Sequence, residues 1–292
     1  MGNKAITSYK GFYKNMQCRG FQYEVGKEYE MDGEIKCCNR GFHACKSPLE
    51  VWDYYDILNS RYAEVEQSGK IEEEENTTKV CSSHIKIKAE LKLADIINIG
   101  VEWLKDITSP SKVKADGALN DNGNRKKQIG SSGYSAKIGS SGYSAKIGSS
   151  GDSAKIGSSG DSAKIGSSGY SAKIGSSGDY AQIGSSGDYA QIGSSGYSAK
   201  IGSSGDYAQI GSSGDSAKID STGEDSVVMC AGNKTRAKAK VGSWITLAEW
   251  EWNDEKNRYV PVCVKTEYVD GDRIKADTWY QLKDGEFIEV TE

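Results

Sequence analysis

Five side chains that can bind zinc lie close together near the start of the chain: Cys18, Cys37, Cys38, His43 and Cys45. Thiolate sulfur and imidazole nitrogen are common ligands of structural zinc. The His43-Ala-Cys45 spacing would place two of these ligands on one face of a strand. The spacings contain no Cys-x2-Cys pair, however, and small reduced core cysteines would give the same pattern. We therefore predict no metal and no cofactor, and keep the five residues as candidate zinc ligands.

The same segment also holds the best candidates for catalysis. The chain has two histidines, and His43 lies two residues from Cys45. A thiol beside an imidazole could act as an activated nucleophile. The other histidine, His84, falls in the alternating segment SSHIKIKAEL, as an ordinary strand residue would. Because no third orienting group or oxyanion motif is evident, we expect structural roles and no enzyme, with His43 and Cys45 kept as candidate catalytic residues.

The first 110 residues, which must position these side chains, have the pattern of an α+β domain. KAITSYKGF, RYAEVEQSG and KVCSSHIKIKAEL alternate in the way that strands do. SPLEVWDYYDIL has apolar residues at helical spacing, which predicts a helix with Ser47 as its N-cap. LADIINIGVEWLKDI is amphipathic and predicts a second helix.

Ten tandem copies of a nine-residue unit follow, from Ile129 to Lys218, without insertion or deletion. The unit reads I-G-S-S-G-[YD]-[SY]-A-[KQ]. A strict repeat of this kind is typical of a solenoid, whose units bury apolar surface only by stacking on their neighbours. Nine residues are too few for a closed coil with two faces, so we predict a β-roll with two units per coil. Ile and Ala should point inward, and G-S-S-G should form the turn, with Gly adopting positive φ.

Nearly all variation within the unit falls at the Tyr/Asp, Ser/Tyr and Lys/Gln positions, which suggests a fixed core and a variable surface. With two units per coil, Tyr134 and Tyr170 should share one face, and Tyr143 and Tyr197 the other. Regularly spaced exposed tyrosines suit partner binding. Equally, stacked Tyr, Lys and Asp could serve to stabilise a roll with a thin core. The candidate binding residues are Tyr134, Tyr143, Tyr170, Tyr180, Tyr189, Tyr197 and Tyr207.

Calcium-binding β-rolls also use nine-residue units, of the form G-G-x-G-x-D-x-U-x. Here the second Gly is lost, Asp is displaced by one position, and Tyr replaces Asp in four of the ten units. Oxygen ligands from successive turns would be incomplete. We therefore expect that calcium does not order the array.

Beyond the repeat, WITLAEWEW, YVPVCVKTEYV, IKADTWYQL and FIEV predict an antiparallel β meander that covers the end of the roll. The predicted fold is mostly β and has three domains. Residues 1–110 form the α+β domain, 111–240 the solenoid with degenerate flanks, and 241–292 the C-terminal β cap.

The composition excludes some classes of function and location. The net charge of −4 argues against a generic nucleic-acid binder that depends on excess positive charge. Seven cysteines, with one adjacent pair and no evident export signal, favour reduced thiols in a cytoplasm. No apolar run is long enough for a membrane span, so we expect no membrane partner.

Two resemblances add to this interpretation. The strings CRGFQYEVGKEYE and CNRGFHACKSPLEVWDYY, followed by the repeat and VGSWITLAEWEW, resemble an uncharacterised family of phage and prophage proteins. That resemblance implies a phage or bacterial source and a domain of unknown function, and it implies no activity. SVVMCAGNKTRAKAKVG is similar to the β-roll repeats of trimeric autotransporter adhesin heads, which supports a β-roll.

These observations favour a non-enzymatic phage or prophage accessory protein in the bacterial cytoplasm that acts as a binding or scaffold module. Its expected partner is a host protein or a small molecule, with countering host defence as one role and a homo-oligomer as a further alternative. The second hypothesis is a small enzyme or nucleotide-binding N-terminal domain, with the solenoid as an oligomerisation module.

Overall fold

A computed structural model of the chain describes residues 5–74, 77–107 and 128–291. The chain forms two compact units, Met1–Trp103 and Leu104–Glu292. The fold is mostly β, as the sequence predicts, whereas the division into three domains at residues 110 and 240 stays a prediction. Residues 108–128, whose polar sequence suggests a degenerate first coil or, alternatively, a linker, lie outside the described residues except for Gln128. Within the described part of the chain, no helix is long and apolar enough to cross a membrane.

The first unit is built on an antiparallel sheet. Its elements are β1 (Ile6–Phe12), β2 (Gln17–Cys18), β3 (Phe21–Gln22), β4 (Glu28–Glu30), β5 (Phe42–Cys45), a 3-10 helix (Pro48–Asp53), β6 (Arg61–Glu73), β7 (Lys79–Leu91) and most of α1 (Leu93–Ile107), which ends in the second unit. The sheet order is β4-β7-β5-β1-β6, and β6 also pairs with β7. The strands β7, β5, β1 and β6 therefore form a closed ring of pairings.

The segment predicted as the first helix is a single 3-10 helix of six residues. Ser47 occupies the predicted N-cap position, in an extended conformation and with Pro48 in the first turn, but its side chain makes no capping hydrogen bond. The buried Glu50 instead accepts hydrogen bonds from the backbone N–H and the hydroxyl of Thr78, at 3.1 and 2.9 Å. These bonds tie the short helix to the loop before β7, whereas the predicted second helix is present as α1.

The second unit contains a β-solenoid of about 7 turns over residues 128–247. Its strands are β8 (Gln128–Ser131), β9 (Lys137–Ser140), β10 (Lys146–Ser149), β11 (Lys155–Ser158), β12 (Lys164–Ser167), β13 (Lys173–Ser176), β14 (Gln182–Ser185), β15 (Gln191–Ser194), β16 (Lys200–Ser203), β17 (Gln209–Ser212), β18 (Lys218–Ser221), β19 (Val227–Cys230) and β20 (Arg236–Lys238). Each strand pairs in parallel with the strand two units away, as Ile147 does with Ile165. The predicted coil of two units is therefore confirmed.

Consecutive strands alternate between two sheets, and each strand from β10 to β18 places Ile and the first Ser of its unit inward. In β11, Ile156 and Ser158 are buried while Lys155 and Gly157 are exposed. The Ala that precedes each of the strands from β10 to β18 is also buried, and the isoleucines form one continuous core cluster. The outward-facing residues of the two sheets differ in exposure. Lys146 on β10 is only 2% exposed, whereas Lys155 on β11 is exposed.

The positive φ of each turn is not supplied by glycine, so that prediction is wrong. The residue with positive φ is the Ser or Tyr two positions after the second Gly, as at Ser171 (φ 55°) and Tyr180 (φ 56°). The second Gly is needed for space, because a Cβ on Gly169 would collide with the carbonyl of Gly151 one coil earlier. The first Gly has open space around it, as at Gly175.

The antiparallel strands that follow the solenoid are β21 (Trp244–Asn253), β22 (Arg258–Tyr268), β23 (Tyr280–Lys283) and β24 (Glu286–Glu289). They form two hairpins, one on each sheet of the roll. The β21–β22 hairpin continues the sheet that contains β19, and the β23–β24 hairpin continues the sheet that contains β20. Each sheet thus ends in antiparallel pairs, which cover strand edges that would otherwise be open to pairing.

Candidate functional site

The first unit holds a cavity of about 530 Å³, within the usual size range of small-molecule sites. Strands β1, β2 and β5 and the segment after the 3-10 helix contribute to its wall. Seven aromatic side chains line it: Tyr9, Tyr13, Phe21, Tyr23, Phe42, Tyr54 and Tyr55. Three of these rings, Tyr13, Phe21 and Tyr54, are exposed at its surface. The charged lining residues are Lys10, Arg19, Lys79 and Asp53.

Lys10 reaches the cavity because strand alternation places it on the inner face of β1, with Ser8 and Phe12. Its side chain is 3% exposed. The ammonium donates to the carbonyl oxygen of His43 at 2.8 Å and to Cys18 Sγ at 3.6 Å. It also lies 5.5 Å from the ring centre of Phe12 and 5.4 Å from that of Tyr23.

Burial lowers the pKa of Lys10, and the nearby Cys18 opposes that shift. No carboxylate in the described part of the chain forms an ion pair with Lys10. A buried ammonium is stabilised mainly by an opposite charge. The cavity wall therefore contains a buried ammonium that no carboxylate of the described residues neutralises.

Cys18 and Tyr55 meet beside this lysine. The Tyr55 hydroxyl donates to Cys18 Sγ at 2.8 Å. Burial raises the pKa of Tyr55, and its hydrogen bond to Cys18 adds to that effect, so the phenol keeps its proton as a donor. The ring of Tyr55 packs directly over the backbone of Gly11, where any side chain would collide with it. Gly11 thus allows Tyr55 to lie across β1.

The two candidate catalytic residues, His43 and Cys45, both lie on β5 and both line the cavity. His43 Nε2 accepts a hydrogen bond from the backbone N–H of Cys38 at 3.0 Å. Burial, followed by the positive charges of Lys10, Arg19 and Lys79, lowers the pKa of His43 to about 4. The imidazole is therefore neutral at pH 7.

The candidate zinc ligands divide between two places. Cys18, His43 and Cys45 line the cavity, whereas Cys37 and Cys38 contact β6 and the residue after it. The backbone N–H and thiol of Cys37 donate to Glu72, and the Cys38 thiol donates to Glu74. Within the residues that the structure describes, no group of three or more His, Cys, Asp or Glu side chains could hold a metal ion. The seven cysteines, all of which the structure describes, form no disulfide bonds with one another.

Arg19 is a second positively charged side chain at the same cavity. It is exposed, has a φ of 50°, and makes no hydrogen bond or ion pair with the described residues. Lys79, in contrast, forms an ion pair with Glu74 at 3.3 Å and lies 4.7 Å from the ring centre of Tyr54. Sequence reasoning missed Lys10, Arg19 and Tyr55, although the alternation of β1 places Lys10 between two inward-facing residues.

The repeat tyrosines lie at the turns and therefore occupy the two edges of the roll. Tyr134, Tyr170, Tyr189 and Tyr207 belong to one edge, and Tyr143, Tyr180 and Tyr197 to the other. All seven rings are exposed. On the first edge, the ring centres of Tyr170 and Tyr189 are 5.1 Å apart, and those of Tyr189 and Tyr207 are 4.9 Å apart. On the second, Tyr180 and Tyr197 are 5.7 Å apart.

The aspartates of the repeat join successive coils. Asp179 Oδ1 accepts the backbone N–H of Tyr197 at 2.8 Å, and Asp188 Oδ1 accepts that of Asp206 at 3.0 Å. Four further pairs, each spanning 18 residues, repeat this bond. These carboxylates thus satisfy turn donors of the next coil, which gives them a structural role that needs no cation.

Comparison with known proteins adds one finding on the first unit. Residues 6–99 match a family model described as a domain of unknown function, DUF7666. No curated protein and no solved structure matches the chain. The matched residues include the whole wall of the cavity, from Tyr9 to Lys79, and none of the repeat.

Proposed function

We propose that the first unit binds a small anionic molecule that carries a flat ring, with nucleotides as the chemical class, and that the solenoid is a non-enzymatic scaffold. The observation that carries this proposal is the buried ammonium of Lys10, which faces a cavity and has no carboxylate partner among the described residues. An anionic group on a ligand would supply the missing charge.

Burial of an ammonium lowers stability unless an opposite charge or strong hydrogen bonds offset the loss of hydration. Lys10 has one carbonyl acceptor and one thiol sulfur. Ionisable residues held in such surroundings are common at binding and catalytic sites. Arg19 adds a second positive charge at the cavity, and a guanidinium can contact phosphate oxygens through two N–H groups.

The aromatic lining favours a ligand with a flat, partly apolar part. Tyr13, Phe21 and Tyr54 are exposed rings at a cavity, where a base could stack on them. Stacking of a base on an aromatic side chain contributes about 1–3 kcal/mol. A nucleotide combines such a base with the negative charge that Lys10 and Arg19 would bind.

The second part of the proposal concerns the wider role of the protein. The resemblance of the N-terminal strings and the repeat to phage and prophage proteins supports an accessory protein in a bacterial cytoplasm, acting on a host factor or against host defence. The exposed tyrosine edges support a scaffold that presents a partner-binding surface. Capture of the scaffold's partner would then be separate from ligand binding in the cavity.

Equilibrium titration of the full chain with a fluorescent ATP analogue tests the ligand class. We expect saturable binding that unlabelled ATP displaces, and a loss of affinity of about tenfold or more in Lys10→Met and in Arg19→Ala, because each removes a charge contact worth about 1.5–3 kcal/mol. The matched control is Lys88→Met, which removes one charge from the same unit at a site outside the cavity. Equal affinity in all four proteins, or no binding at all, would refute the nucleotide proposal.

A further inference from the structure

Cys18 has an environment unlike that of the other cysteines. Two hydrogen-bond donors point at its sulfur: the hydroxyl of Tyr55 at 2.8 Å and the ammonium of Lys10 at 3.6 Å. A thiolate accepts such bonds better than a thiol does, and a neighbouring cation favours the charged form. The half-buried sulfur lies in the wall of the cavity, so a small molecule can reach it.

The geometry of these donors favours attack by the sulfur. The Lys10 ammonium is 3% exposed and has no carboxylate partner in the described segments, and it donates to the sulfur beside the Tyr55 hydroxyl. Both donors would stabilise negative charge on the sulfur as it attacks an electrophile.

We propose that Cys18 is a covalent modification site at which a soft carbon electrophile of the α,β-unsaturated carbonyl class adds to the thiolate. The site lies in the cavity of the proposed function and rests on it for access by a ligand. In this proposal the sulfur of Cys18 forms the bond to the electrophile, and neither Cys45 nor His43 does so.

The addition needs no further reactant. The thiolate sulfur forms a bond to the β-carbon, and the π electrons of the carbon–carbon double bond move to the α-carbon and its carbonyl as an enolate. The Lys10 ammonium then gives its proton to the α-carbon, which leaves a neutral thioether and a neutral amine. No group leaves, and neither an oxidant nor a reductant takes part.

The other thiols provide internal comparisons. The Cys38 sulfur accepts one hydrogen bond, from the Lys79 ammonium at 3.0 Å, but that lysine is paired with Glu74, whose carboxylate lies 3.5 Å from the same sulfur. The Cys37 thiol donates to the backbone carbonyl of Glu72. Cys45, Cys81 and Cys230 are buried. Cys263 is half-buried like Cys18, but its thiol makes no hydrogen bond with the described residues, so it is the matched reference.

N-ethylmaleimide, a reagent of the proposed class, tests the site on the full chain at pH 7, with labelling of each cysteine followed by peptide mass spectrometry. We expect Cys18 to react about tenfold faster than Cys263 or more, because only a few per cent of an ordinary thiol is ionised at this pH. Lys10→Met and Tyr55→Phe should slow labelling of Cys18 and leave Cys263 unchanged. Lys88→Met should change neither rate.

A rate at Cys18 no higher than that at Cys263 would overturn the proposal, and so would rates unaffected by both cavity variants. If Lys10→Met does not fold, the ratio of the Cys18 and Cys263 labelling rates in the wild type and the effect of Tyr55→Phe still test the proposal. Addition of ATP separates this proposal from the preceding one. Protection of a fast Cys18 by ATP supports both, whereas fast labelling without protection supports the modification site and counts against nucleotide binding.

Discussion

The carbonyl oxygen of Gly151 lies where Gly169 would carry a side chain. The two glycines occupy the same position of the repeat, one coil apart. The contact recurs along the array up to the pair of Gly214 and Gly232. Close approach of successive turns, rather than turn conformation, therefore explains the second Gly of each unit.

Replacement of Gly169 by Ala should lower the free energy of unfolding by about 1–3 kcal/mol, because the added Cβ displaces a tightly stacked turn. Gly175→Ala is the matched control in the same coil region, since nothing lies within 4 Å of its Cβ. That control should be neutral or should stabilise by about 0.5–1 kcal/mol. Chemical denaturation of both variants checks this, and equal effects would contradict the steric role.

Deletion of two units, Ile165–Gln182, should leave a folded protein, because one complete coil is removed and every later strand keeps its sheet. Deletion of one unit, Ile165–Lys173, moves every later strand into the other sheet. The two sheets differ, since Lys164 is buried on one and Lys173 is exposed on the other. We expect lower melting temperature and solubility for the single deletion only, and indistinguishable behaviour would argue against the difference between sheets.

The solenoid could be predicted in large part from the sequence. The repeat length excludes a one-unit coil with two faces, and the constant Ile and Ala positions identify the core. The roles of Gly169 and Asp179 could not be predicted, because each depends on a neighbour 18 residues away, at a distance that the stacking of coils determines. Local turn chemistry alone assigned the positive φ to glycine, whereas the structure places it on Ser or Tyr.

The cavity was harder to predict than the array. His43 and Cys45 were found because they are rare residues close together in sequence. The contact of Cys18 with Tyr55 spans 37 residues. Cys18 lies on β2 and Tyr55 follows the 3-10 helix, and the two meet where Tyr55 packs across Gly11 of β1. The alternation of β1 places Lys10 on the inward face, whereas a charged side chain is expected on the outward face. Such a conflict between pattern and residue type indicates a functional site.

Tyr189 contacts the rings of both Tyr170 and Tyr207 on one edge of the roll. Tyr189→Ser should lower the free energy of unfolding by about 1–3 kcal/mol, because two aromatic contacts of about 0.5–1.5 kcal/mol each are lost. Ser occupies the same position with the same φ in other units, so the backbone is undisturbed. Tyr134→Asp, which restores the residue found in other units, is the control and should be neutral. No loss in Tyr189→Ser would favour a role in partner binding alone.

The free energy of unfolding should decrease as the pH is lowered, because of His43. Its pKa is lowered to about 4 in the folded protein, so below about pH 6.5 the unfolded chain binds the proton first. The contribution of the neutral ring is therefore present above pH 6.5 and is lost as pH falls towards 4. Urea denaturation at pH 7 and pH 5 should show a larger loss for the wild type than for His43→Gln. The same loss in both proteins would show that His43 is not responsible.

The most direct test of the ligand-binding account is the stability of Lys10→Met without ligand, measured together with its nucleotide affinity. If Lys10 is held in the cavity for a ligand, an apolar side chain of similar length should leave the free energy of unfolding unchanged or raise it, while nucleotide binding is lost. If Lys10 instead serves the fold, the variant should be destabilised by about 3–5 kcal/mol, as for a broken buried pair, and any nucleotide binding by the protein that remains folded should be unaffected. That second result would contradict the central claim.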